Sequence, residues 1–167
     1  VDTRKAIALL AYLAVTAERK SRETLAALLW PEHDSEHARA ALRRTLSALS
    51  KALGGDFLDV ERAAVALDAS DAWLDVTEFR AHLTGSRDAD AVALYRGDFL
   101  AGFGLRDSVD FEDWQFFEAE TLKRELAGAL ERLAGERGAE GQFDGAIELA
   151  RRWLALDPLQ EPAHRLL

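Results

Sequence analysis

The chain has 167 residues, of which 49% are hydrophobic and 31% are charged, with 3 Pro and no Cys. This composition is typical of one globular domain or two small ones, and it excludes an extensively disordered chain. The absence of Cys excludes disulfides and thiolate chemistry, and it makes a reducing cytoplasm the expected compartment. The longest apolar runs, such as residues 6–15 and 26–30, are shorter than the roughly 18 residues that a membrane-spanning helix needs.

Charge is distributed unevenly along the chain, whose formal net charge is -9. Residues 1–70 carry 10 Lys and Arg against 10 Asp and Glu, whereas residues 71–167 carry 11 against 20. The acidic excess therefore lies in the second part, and it does not exclude nucleic-acid binding by the first. Because the chain begins with Val and contains no Met, we expect it to be a piece of a longer protein.

Two helices are predicted near the start of the chain. Apolar residues recur at helical spacing from Arg4 to Thr16, which predicts an amphipathic first helix. Ser21 is a suitable N-cap for a second helix. Pro31 ends that helix, because proline has no N–H to donate and its ring obstructs the preceding turn.

The third helix is the longest that we predict in the first part of the chain. Asp34 offers its N-cap, and the pair Gly54 and Gly55 closes it. At 100° per residue the leucines form one narrow stripe that should face a core. The stripe consists of Leu42, Leu46, Leu49 and Leu53. The opposite face is polar and basic.

After the third helix the hydrophobic period changes from 3.6 to 2. Residues 57–60 and 64–67 alternate or run apolar, with Glu61 and Arg62 in a polar turn between them, which predicts a β-hairpin. Three helices followed by a hairpin, with the longest helix third and basic on its outer face, is the order of a winged helix-turn-helix.

From residue 71 onward the predicted elements are all helical. The last helix pair contains small and aromatic residues at the spacing of a tetratricopeptide unit. These residues are Leu133, Ala134, Gly141, Phe143, Ala146 and Pro158.

The four tryptophans have apolar neighbours, so we predict core or inter-domain anchors rather than platforms for stacked bases. They are Trp30, Trp73, Trp114 and Trp153. Trp114 in particular is predicted to be buried, because the acidic residues around it should face water.

In order and spacing, these segments resemble the SARP-like bacterial activators, in which an OmpR-like winged helix precedes an all-helical bacterial transcriptional activator domain. The resemblance is carried by residues 4–15, 28–31, 38–39, 42–44, 46–47, 73–76 and 94–100 and by Trp114. It implies a mainly α fold, with a winged helix-turn-helix and a small β-hairpin wing in residues 1–70, packed on a tetratricopeptide-like domain in residues 71–167. Such proteins usually begin with extra strands and continue through further helices, so we expect both ends to be missing here.

The resemblance implies a DNA-binding transcriptional regulator, an activator, that places its third helix in the major groove. The candidate DNA-binding residues are Arg39, Arg43, Arg44, Ser47, Ser50, Lys51 and Arg62. Arg43 and Ser47 lie in the middle of the polar face and are predicted to contact base edges, whereas Arg44 and Lys51 are predicted to contact phosphates. The expected partners are double-stranded DNA, RNA polymerase, a second copy of the chain and other domains of the longer protein; no membrane contact is expected.

An alternative stays open, in which the chain is a protein-interaction module of a larger signalling protein and its winged helix no longer binds DNA. The family commonly has arginines where this sequence has Ala48 and Ser50, which favours the alternative. The retained pair Arg43 and Arg44 favours DNA binding.

No pattern in the sequence is typical of an enzyme. His33 and His37 are four residues apart, but no third His, Cys or suitably placed carboxylate is near them in sequence. The carboxylates between residues 110 and 120 are spread over successive helical turns, which predicts a helix cap and a solvated face. The glycines between residues 97 and 104 lack the Lys-Ser or Lys-Thr of a phosphate loop. We therefore expect no catalytic residues, no metal and no cofactor.

Overall fold

The computed structural model describes residues 2–54 and 57–165. As predicted, the fold is mainly α with one small antiparallel sheet. The chain divides into two compact units, one formed by Val1–Leu74 with Gly102–Phe116 and the other by Asp75–Ala101 with Phe117–Leu167. Within the described ranges, no helix is both long enough and apolar enough to cross a bilayer.

The first unit contains the three predicted helices and the predicted hairpin. Its elements are α1 (Thr3–Thr16), β1 (Lys20–Ser21), α2 (Arg22–Leu29), α3 (Ser35–Leu53), β2 (Leu58–Val60) and β3 (Ala64–Leu67). Strand β1 is an addition to the prediction, since two residues are too short to show a period. It pairs antiparallel with β3, so the strand order is β1-β3-β2.

Side-chain caps start the helices of the first unit where the sequence analysis placed them. The Ser21 hydroxyl accepts a hydrogen bond from the Thr24 N–H at 2.9 Å. The Asp34 carboxylate accepts from the N–H groups of Glu36 and His37. Each cap satisfies backbone donors that have no partner inside the first helical turn. Gly55, predicted to close α3, lies outside the described residues.

The leucine stripe of α3 is in the core of the first unit. Leu42, Leu46 and Leu49 are buried and Leu53 is half-buried, which confirms the helical phase assigned to the stripe. Other fully buried side chains of this unit come from α1, α2, β3 and the segment Gly102–Phe116: Leu9, Leu13, Leu25, Leu29, Val65 and Phe111. Ile7, one of the apolar residues that recur along α1, is 45% exposed.

The segment Gly102–Phe116 belongs to the first compact unit, although it follows residue 71, where the predicted second domain begins. Two polar contacts help to hold it there. The buried Ser108 hydroxyl donates to the carbonyl of Leu28. Asp107 pairs with the Lys5 ammonium, with 2.7 Å between Oδ2 and Nζ. These contacts join residues far apart in the chain, so no local pattern indicated them.

All the regular secondary structure among the described residues of the second unit is helical. Its elements are α4 (Asp75–Thr84), α5 (Asp88–Leu94), α7 (Phe143–Leu156), α8 (Glu161–Arg165) and the part of α6 (Val109–Ala139) that follows Phe116. A single buried cluster joins these helices, and its largest members are Phe79, Leu122, Leu126, Leu130, Leu133 and Trp153. Between α6 and α7 the chain turns at Gly141, whose φ of 77° is in the left-handed region that glycine adopts without strain.

The tryptophans differ in exposure more than their sequence contexts predicted. Trp30 and Trp153 are buried, as expected of core side chains. Trp114 is only half-buried, so its predicted full burial is wrong. Trp73 is 67% exposed and does not belong to the core. Trp73 and Trp114 both have apolar neighbours in the sequence, but the burial of a ring depends on which distant elements cover it.

Candidate nucleic-acid interface

The polar face of α3 is open to solvent along its length. Every candidate DNA-binding residue on this helix is exposed, namely Arg39, Arg43, Arg44, Ser47, Ser50 and Lys51. At 100° per residue, four of them fall within about 80° of helix circumference, and Arg44 and Lys51 lie together on one flank. The helix therefore presents a continuous strip of guanidinium and hydroxyl groups on the side away from its buried leucines.

One of these cations already has a partner. Arg39 forms an ion pair with Glu23 of α2, with 3.0 Å between Nη2 and Oε1. The two side chains are 55% and 79% exposed, so water screens the pair and it contributes little to stability. A phosphate could therefore replace Glu23 at small energetic cost.

The first turn of α3 is unsuitable for binding a polyanion. The Asp34 carboxylate caps the helix, and hydrogen bonds from the backbone N–H and then the ring of His37 lower the pKa of Asp34. Glu32 and Glu36 add negative charge beside it. At the other end Lys51 lies in the last turn, where the helix dipole favours a cation. The part of α3 whose charge favours a polyanion therefore runs from Arg39 to Lys51.

The hairpin contributes one candidate residue, Arg62, which is exposed in the turn between β2 and β3. A second arginine nearby is paired with carboxylates of the hairpin. Arg19 contacts Asp59 and also Glu61, with 2.9 Å between Nη1 and Oε1 of Glu61. The hydrogen bond with Asp59 raises the pKa of Arg19. Sequence reasoning did not detect this pairing, because it depends on how the hairpin folds back toward residue 19.

Lys5 shows how a cation near the start of a helix can serve the fold. In the sequence it forms a basic pair with Arg4, but its side chain is only 4% exposed. Its ammonium group donates to the carbonyl of Leu29 and lies 5.5 Å from the centroid of the Trp30 ring. Lys5 is thus a structural residue of the first unit.

His37 is paired with Asp34 rather than arranged with His33 as a ligand pair; 2.7 Å separates its Nδ1 from Oδ2 of Asp34. No group of three or more His, Cys, Asp or Glu side chains that could hold a metal ion is found among the residues that the structure describes.

Comparison with known families identifies the larger part of the chain. The family model of the bacterial transcriptional activator domain matches residues 58–167, which include the whole second unit and residues 58–74 and 102–116 of the first. A search of curated proteins finds no match. The activator-domain part of the resemblance is thereby confirmed, and the chain belongs to the bacterial transcriptional activator domain family.

Proposed function

We propose that this chain, which has a role of bacterial transcriptional activator type, binds double-stranded DNA by placing α3 in the major groove. The observation that carries the proposal is the exposed strip of Arg and Ser side chains on α3, opposite a buried leucine stripe. A helix that lies in a DNA groove needs two such faces, since one face must pack on the protein core and the other must reach base edges.

The position of each side chain on α3 suggests its role. Arg43 and Ser47 lie in the middle of the exposed strip, where side chains reach base edges, and Ser50 lies beside them. Arg44 and Lys51, on the flank, are placed to contact phosphates. Arg39 joins them when a phosphate replaces Glu23 as its partner.

The hairpin and the acidic part of the chain have further roles in the proposal. Arg62 contacts the DNA backbone beside the groove. The acidic region after residue 70 contacts RNA polymerase or a second copy of the chain, because a polyanion would be repelled there.

The salt dependence of binding tests the proposal. The probe is a duplex enriched by the protein from a random DNA pool, and binding is followed by fluorescence anisotropy. If Arg39, Arg44 and Lys51 each neutralise one phosphate, log affinity should fall against log salt with a slope of about -2.7. Arg43→Ala combined with Arg44→Ala should flatten that slope by about 0.9, because the phosphate contact of Arg44 is lost, and should weaken binding further through the lost base contact of Arg43.

The matched control is Arg96→Ala combined with Arg151→Ala, which removes the same charge from two exposed arginines of the second unit. This control should keep the affinity and slope of the wild type within error. If no duplex is enriched, or if the α3 variant binds like the wild type, α3 does not read DNA and the interaction-module interpretation replaces this proposal.

A further inference from the structure

The small sheet of the first unit has an outer face that carries charged side chains. The register places Asp59 opposite Ala66, the neighbour of the buried Val65. Since successive side chains of a strand lie on opposite faces, Asp59 and Ala66 are on the face away from Val65. Lys20 of β1 also pairs with Val65. Arg19, one residue earlier, is therefore on the same outer face as Asp59.

Small side chains on the central strand allow Arg19 to reach across the sheet. Neighbouring strands are about 4.8 Å apart, so β2 lies roughly 10 Å from β1. On the outer face between them, β3 presents only Ala64 and Ala66. The Arg19 guanidinium contacts Asp59, and 2.9 Å separates its Nη1 from Oε1 of Glu61. One guanidinium thus pairs with both carboxylates of the hairpin.

These ion pairs change the charge of the hairpin more than the stability of the fold. The side chains of Arg19, Asp59 and Glu61 are 43%, 49% and 59% exposed, so water screens the pairs and they contribute little to stability. Residues 58–67 contain these two carboxylates and a single cation, Arg62, which gives the hairpin a formal charge of -1. Arg19 brings the total charge of this surface to zero.

We propose that Arg19 is a positioning residue of the DNA interface, which neutralises Asp59 and Glu61 so that the hairpin can bring Arg62 to the phosphate backbone. The inference rests on the proposed binding of DNA and assigns a role to a residue outside α3. Without Arg19, two unpaired carboxylates would repel the phosphates that Arg62 approaches. Arg19 itself already has two carboxylate partners, so it makes no phosphate contact.

The first test removes the neutralising charge. With the duplex enriched from the random pool, Arg19→Ala should weaken binding by about threefold or more, because Asp59 and Glu61 lose their partner. The matched control is Arg4→Ala, which removes the same charge from an exposed arginine of α1 in the same unit. The control should change the affinity by less than about twofold. Circular dichroism confirms that each variant is folded.

A second test separates neutralisation from a direct contact with phosphate. In a chain that carries Asp59→Asn and Glu61→Gln, no carboxylate charge is left for Arg19 to neutralise. Adding Arg19→Ala to that chain should change the affinity by less than about twofold and leave the salt slope unchanged. If Arg19 contacted a phosphate directly, the addition would instead flatten the slope by about 0.9.

Three results would overturn the inference. They are unchanged binding by Arg19→Ala, an equal loss of affinity in Arg4→Ala, and an effect of Arg19→Ala that persists in the chain without the two carboxylates. Each can occur while the combined variant of Arg43 and Arg44 still binds weakly, and then only the role of Arg19 fails. If no duplex is enriched, both proposals fail.

Discussion

Some arginines of the second unit hold helices together, whereas two arginines of α3 in the first unit are exposed. In the second unit Arg132 of α6 makes two hydrogen bonds of 2.7 Å to the buried carboxylate of Asp88 on α5. Arg152 of α7 donates to backbone carbonyls at the end of α5. In the first unit Arg43 and Arg44 of α3 are exposed. An arginine-rich helix is thus no sign of a binding surface until the partners of each guanidinium are known.

Arg80 gives the clearest case of an arginine that holds helices together. From α4 it reaches two carboxylates of α6, Glu118 at 2.7 Å and Glu125 at 3.1 Å. Both carboxylates are on the acidic region that the net charge identified, yet the fold already uses them. The charge that remains available to a partner is therefore smaller than the composition of the second part indicates.

In both units a cationic side chain from another helix donates hydrogen bonds to backbone carbonyls at a helix end. Lys5 donates to Leu29 at the end of α2, and Arg152 donates at 2.8 Å to Tyr95 just after α5. Carbonyls of a last helical turn have no partner within the helix, and a cation there also favours the dipole.

The largest expected effect is that of removing Trp153 from the core of the second unit. The comparison is with Trp114 of the first unit, which was expected to be buried. Trp153→Ala should lower the free energy of unfolding by about 4 kcal/mol, because Trp153 is 3% exposed in the central cluster. Trp114→Ala should cost about 2 kcal/mol, since a half-buried ring loses less contact. Chemical denaturation measures both, and a Trp114 variant that costs as much as the Trp153 variant would contradict the comparison.

The second prediction tests the cation at the end of α2. Lys5→Ala should lower the free energy of unfolding by about 2 kcal/mol, because it leaves the Leu29 carbonyl without its donor in a buried position. The neighbouring Arg4 is exposed, so Arg4→Ala should stay within about 0.5 kcal/mol of the wild type. Equal effects of the two changes in denaturation would show that Lys5 acts as an ordinary surface cation.

The third prediction tests the corresponding cation of the second unit. Arg152→Ala should lower the free energy of unfolding by about 1.5 kcal/mol, because it removes hydrogen bonds to Val92 and Tyr95. Arg43→Ala, an exposed change on α3, should alter stability by less than about 0.5 kcal/mol. If thermal denaturation shows that Arg43→Ala destabilises the chain more than Arg152→Ala does, the distinction between arginines that hold helices together and exposed arginines is wrong.

The smallest effect concerns pH. The hydrogen bond from Lys5 lowers the pKa of Asp107 in the folded chain, whereas in the unfolded chain it is about 3.9. The carboxylate therefore stabilises the fold above that value, and the contribution is lost as pH falls through the lower folded pKa. Asp107→Asn should melt below the wild type at neutral pH, and the difference should shrink below about pH 4. A difference that stays constant down to pH 3 would contradict this linkage.

Local signals predicted much of the first unit, because they act through neighbouring residues. Ser21 and Asp34 marked helix starts by their ability to cap, and Pro31 marked an end by lacking a donor. The change of period after α3 predicted the hairpin. The seven candidate DNA-binding residues remain a prediction; the structure contributes their exposure.

The sequence by itself determined the helical character, the phase of the leucine stripe on α3 and the activator-domain family, since each depends on spacing along the chain. Only the tertiary structure decided that Lys5 is buried, that Trp73 is exposed and that Gly102–Phe116 joins the first unit. These outcomes depend on contacts between distant residues, such as Ser108 with Leu28. These contacts stabilise the fold because they satisfy buried polar groups and cover apolar surface. No pattern of neighbouring residues indicates which distant element makes them.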